Sequence, residues 1–228
     1  MEGVKQFDLA TTPLREVNRF LHAVGNGSGR VKILNADGAH SIAAGLDAPI
    51  EVEVDGHAGY YLGGMNKSAS ITVHGNAGPG VGENMMSGTI RVEGFASTAA
   101  GASAHGGTLI IHGDAALRCG ISLKGGDIVV GGSVGSFSAF MAQAGRIVIC
   151  GDAGDALGDS LYEAVIYVRG NVRSLGADAR FEDMSEADYS TVRELLARAR
   201  FDFDAREFKR VASAKSLYHW NADANQEY

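Results

Sequence analysis

The chain has 228 residues, 45% of them hydrophobic, a formal net charge of −7 and a pI near 5.5. That length fits one domain with a sizeable core, and the acidic balance disfavours nucleic acid or an anionic membrane as a partner. The sequence offers neither a run of eighteen apolar residues nor an N-terminal apolar leader, so neither a membrane span nor secretion is expected, and the reading is a cytoplasmic protein.

Taken from the amino end, Thr12-Pro13 is a helix-start signal. Leu14, Val17, Leu21 and Val24 follow at helical spacing. A short amphipathic helix within residues 1–29 is expected to cap what comes next. Arg30–Leu34 reads as a first strand, with its following glycine, Gly38, one residue out of the later register.

From residue 50 glycine returns every nineteen residues, at Gly56, Gly75, Gly94, Gly113, Gly132, Gly151 and Gly170. A short β-branched run precedes each. A second glycine follows seven residues later at Gly63, Gly82, Gly101, Gly120 and Gly158, and a third thirteen later at Gly88, Gly107, Gly126 and Gly145. A fixed period of this length signals a stacked repeat. Five strand residues, a corner and two shorter edges make one coil of a parallel β-helix, with glycine supplying positive φ and close approach at the corners.

Aligned coils produce columns. Val52, Ile71, Ile90, Leu109, Ile128, Ile147 and Ile166 would face inward, as would Val54 and its equivalents two residues on. Ala58, Ala77, Ala96, Ala115, Val134 and Ala153 form a small column, and Leu62, Val81, Ala100, Cys119, Ser138 and Leu157 another. One coil cannot offset the entropy of ordering its own backbone, so coils come in arrays. Seven or eight of them at ~4.8 Å give a rod about 35 Å long. The array is read over residues 30–180.

Residues 181–228 read as a helical tail. Ser185 and Asp188 form a capping-box-like start for a helix whose apolar face is Tyr189, Val192, Leu195, Leu196 and Ala199. A second short helix is expected from Asp204, using Phe208 and Val211. Trp220, the single tryptophan, sits further on among polar residues. The fold class is therefore all-β: a single-stranded right-handed parallel β-helix, with a short N-terminal helix and C-terminal helices capping or covering it.

Outward columns carry the functional information. Glu53, Thr72 and Arg91 are polar, but Ile110, Val129, Val148 and Tyr167 continue the same column as an apolar stripe. Such a stripe needs a cover, either the chain's own C-terminal helix or a partner subunit. With Trp220 it forms the candidate interface. The neighbouring column reads Asp55, His74, Glu93, His112, Gly131, Cys150 and Arg169. Charge pairing there is favoured over metal ligation, and Glu93 is expected to raise the pKa of both His74 and His112. Met65, Met85, Met86 and Met141 fall on adjacent corners as loop filling or as a rim for a partner. Gly78-Pro79-Gly80-Val81-Gly82 has a coil corner's spacing, with no helix after it to make a nucleotide loop. Cys119 and Cys150 occupy different columns and read as a free pair. No catalytic, cofactor-binding or metal-binding residue is assigned.

The pattern Gly88, Ile90, Val92, Gly94, Ala96 resembles the GXGXG repeat, the C-terminal β-helix of the large subunit of glutamate synthase. Segments such as Gly59–Asn66 and Ser136–Gln143 are similar to the stand-alone form of that domain, the β-helix subunit of N-methylglutamate synthase and of its glutamate synthase-like relatives. The resemblance implies a non-catalytic subunit of a hetero-oligomer. Its partners would be a glutamine amidotransferase-like subunit and an FMN-binding synthase-like subunit, with FMN and iron–sulfur clusters on the partner. Such a complex makes N-methylglutamate and ammonia from methylamine and glutamate. Only the glycine columns transfer residue by residue. The alternative is the subunit with a similar repeat in a formylmethanofuran dehydrogenase or in a formyltransferase/hydrolase complex. A polysaccharide-acting β-helix enzyme is disfavoured, because no row of acidic residues lines one outward groove.

Overall fold

The nineteen-residue period becomes one coil of a parallel β-solenoid in a computed structural model that describes residues 4–24 and 29–215. Trp220 lies outside the described residues. The rungs are β2 (Arg30–Leu34), β3 (Glu51–Asp55), β4 (Ser70–His74), β5 (Thr89–Val92), β6 (Thr108–Ile111), β7 (Lys124–Val130), β8 (Ala144–Ile149) and β9 (Val165–Val168), stacked parallel in chain order. Register follows the sequence columns without a slip from Val52 through Ile71, Ile90, Leu109, Ile128 and Ile147 to Ile166. All seven are buried, as are Val54 and its equivalents. Each such side chain contributes about 1.5–3 kcal/mol relative to exposure. The alanine column forms its own parallel ladder on a second edge of the coil, from Ala58 to Val172.

The glycines divide into two kinds. Of the seven register glycines only Gly56 has a positive φ, at 99°. The other six are glycine because the coil beneath leaves no room: a Cβ at Gly75 would lie 2.5 Å from Gly56 O, and one at Gly132 2.9 Å from the Gly113 carbonyl carbon. Positive φ belongs to the second and third glycine columns, and it extends well beyond glycine. Tyr61, Gly63 and Met65 have φ of 62°, 59° and 56°, and Phe137, Ala139 and Met141 repeat this at 58°, 59° and 53°. Alternation points successive amides up and down the rod. Tyr61 and Met65 donate to Pro79 and Glu83 of the next coil, whereas Gly63 and Lys67 donate to Ile42 and Leu46 of the previous one. Those bonds hold a left-handed conformation that costs a non-glycine residue about 1–2 kcal/mol.

Both ends of the rod are closed. The expected helix forms as α1 (Leu14–Ala23), burying Val17 and Leu21 against the rod's core. Asn18 ties it down, donating to Ser41 O at 2.9 Å and accepting from the Ala43 amide at 3.0 Å. The residues before it, irregular by sequence, form one more parallel strand, β1 (Lys5–Asp8), paired with β2. At the far end β10 (Ala179–Glu182) leads into α2 (Glu186–Ala199), which starts on the Ser185–Asp188 capping box.

The expected second C-terminal helix does not form. Ala205–Glu207 is a single 3-10 turn, and β11 (Lys209–Ser213) follows, antiparallel to both β9 and β10. Two demands override the helical spacing. The last rung has an open edge whose backbone groups need partners. Phe208 and Val211, three apart, point to opposite sides of an extended chain. Accordingly Phe208 joins the cluster under α2 and Val211 enters the rod's core.

Candidate functional site

The apolar stripe is not open to a partner. Ile110, Val129 and Val148 are 0% exposed and Tyr167 3%, all beneath Val192, Leu195, Leu196 and Ala199 of α2. The chain's own helix is the cover, and the apolar surface it removes from water is the driving force. Polar contacts fix the fit. Tyr167 donates to Asp188 Oδ1 at 2.7 Å. Asp127, buried at the foot of the helix, takes Arg146 at 2.6 Å and Arg198 at 3.5 Å. Burial, then the bond to Asp188, raises the Tyr167 pKa. Cys150 lies under the same cover, and burial pushes its thiol up to about 12; Cys119, inside the rod, is pushed to about 12 by the same cause.

The charged column pairs as a ladder only at its start. His74 Nδ1 lies 2.8 Å from Glu93 Oε2, with Glu53 Oε2 3.8 Å from its Nε2. His112 breaks the pattern. Its Nε2 is 2.8 Å from Arg91 Nη1, and its pKa is lowered, first by burial and then by Arg91. The expected rise from Glu93 is outweighed, because burial and Arg91 both act against it. Among the described residues no three His, Cys, Asp or Glu side chains gather as a metal site.

Open space lies instead at the corner after several of the register glycines. Concavities lie along it among the described residues. One of 690 Å³ is bounded by Leu34, Asp55 and His57. Others of 430 and 440 Å³ adjoin through Ser133 and Val134. Small residues line each of them, Ala36 and Gly56 in the first, Ala96, Ala115 and Gly135 in the second, and Ala153 and Gly154 in the third. One wall is a chain of side-chain acceptors, each taking the amide of the next coil: His57 from Asn76, Asn76 from Phe95, Asp114 from Ser133, Ser133 from Asp152 and Asp152 from Asn171. Phe95 interrupts the chain, since its ring offers no acceptor to Asp114. That ring is 52% exposed and faces the middle concavity with Leu117, 50% exposed. Phe137, Met141, Met65 and Met86 are further exposed apolar side chains on the corners, whereas Met85 is buried.

Sequence reasoning passed over Phe95 and Leu117. The available signal was an aromatic residue at an outward position that is polar in every other coil from His57 to Asn171.

The chain matches no family model. It is 55% identical over 224 residues to protein GlxC of Rhizobium meliloti (strain 1021), an alignment spanning 97% of this chain and 98% of that protein. A likeness of that depth and extent takes in the coils, the caps and α2 together, and the chain belongs to the GlxC family.

Proposed function

We propose that this protein is a structural subunit of a glutamate synthase-like complex in the cytoplasm, and within that class of N-methylglutamate synthase. It holds an amidotransferase-like subunit and an FMN- and iron–sulfur-binding synthase subunit in register, and the complex converts methylamine and L-glutamate to N-methyl-L-glutamate and ammonia. The chemistry belongs to the partner chains, and the rod supplies the spacing between them. The reading is supported by the resemblance of the glycine repeat and, in the structure, by the corner lined with small residues that carries Phe95 and Leu117. Half-exposed apolar side chains beside a concavity suit a partner better than solvent.

Affinity purification of the native assembly, with its chains identified by mass, tests this directly. The expected result is two larger subunits, flavin absorbance in the complex, and no turnover by this chain alone. Turnover of methylamine and glutamate by the isolated chain would overturn the proposal, as would molybdopterin-type partners.

A further inference from the structure

At the carboxyl end of α2 one guanidinium takes the free backbone carbonyls. Arg91, on β5, donates from Nη1 to Ala199 O at 3.0 Å and from Nη2 to Arg198 O at 3.1 Å. A cation at that end of a helix is favoured by both the free carbonyls and the macrodipole. The same Nη1 is 2.8 Å from His112 Nε2. A guanidinium only donates, so His112 accepts, and it does so as neutral imidazole. Phe201 seals the contact, its ring centroid 5.1 Å from that of His112. The space for that ring comes from Gly131, the next position in the column, where a Cβ would lie 2.8 Å from Phe201 Cζ.

We propose that His112 and Arg91 form a pH-sensitive latch holding the end of α2 and the following Phe201 segment on the rod. Neutral His112 orients Arg91 onto the helix carbonyls. Protonated His112 has no acceptor to offer and places a second cation against the first. The charged groups facing it are Arg91 and Glu93 from the sheet and Arg200 from the end of α2. The two arginines oppose protonation and Glu93 favours it. Burial adds to the arginines' side, so the folded pKa falls below the ordinary value near ~6.5. The latch is therefore complete above about pH 6.5 and is lost as pH falls through the folded value.

Hydrogen exchange on the full chain, corrected for intrinsic rates, tests it. Amides from 196 to 203 should lose protection by about three- to tenfold between pH 7.5 and 5.5, tenfold being the ceiling because pH 5.5 lies about one unit below the ordinary histidine value of ~6.5. His112→Gln keeps an acceptor that does not titrate and should abolish the change. An unchanged pH response in His112→Gln, or none in the wild type, overturns the latch. An NMR titration of the wild type placing His112 at or above ~6.5 does the same without any variant.

Discussion

A single repeating residue type meets two different needs in this rod. Gly75 has ordinary φ, and what it lacks is room: Gly56 O stands 2.5 Å from where a Cβ would be. Gly82 has φ of +66°, and its nearest neighbour, Ile90 Cδ1, is at an ordinary 3.4 Å. The two should respond differently to alanine. Gly82→Ala should cost only the left-handed conformation, about 1–2 kcal/mol. Gly75→Ala must push one coil's backbone off another, and about 1–3 kcal/mol is expected with a shifted corner. Denaturant unfolding measures the first difference, and amide shifts in the Gly56 coil detect the second. The two thiols give a residue-scale test of burial. With pKa values near 12, Cys119 and Cys150 should resist iodoacetamide at pH 8 in the native protein and react once it unfolds.

At the scale of elements, α2 is the piece that keeps one flank of the solenoid from being a bare apolar surface. Its start depends on the capping box, in which Ser185 accepts from the Asp188 amide and Asp188 accepts from the Ser185 amide. Ser185→Ala should cost about 0.5–2 kcal/mol. Its face depends on Leu195, 0% exposed against the sheet, and Leu195→Ala should cost about 2–5 kcal/mol. Equilibrium unfolding in urea checks both, with the larger loss expected for Leu195. The latch at His112 adds a pH-dependent hold at the other end of the same helix. Both ends of α2 are thus fixed by named side chains, while its middle is fixed by area.

For the whole molecule, stacking requires ends, and both are supplied by the chain. Removing residues 177–228 takes away α2 and β11 together, leaving β9 with an unpaired edge and Ile110, Val129 and Val148 uncovered. Such a truncation is expected to aggregate, read by light scattering, whereas the full chain stays dispersed. The open flank makes the opposite prediction. Phe95→Asp with Leu117→Asp changes two exposed side chains, so folding stability should shift by no more than about 0.5 kcal/mol per site. Capture of the proposed partner subunits should fall sharply in the same variant. A double variant that still captures them at full strength would move the docking surface elsewhere on the rod.

The sequence by itself determined the coil. A period of nineteen, inward columns alternating with the strand and a small column two residues past the glycine become the observed ladder, because stacking forces each position to repeat its environment. It also determined α1 and α2, whose start signals and apolar spacing are local. Only the tertiary structure decided what lies against what. The cover over Ile110 and Val148 could have come from any apolar face, and it comes from α2. Phe208 and Val211 have helical spacing yet extend, because an open rung edge and two separate cores claim them. His112 pairs with Arg91 rather than with Glu93 because the end of α2 draws the guanidinium there. Each of these depends on distances between segments tens of residues apart, and local pattern holds no record of such distances.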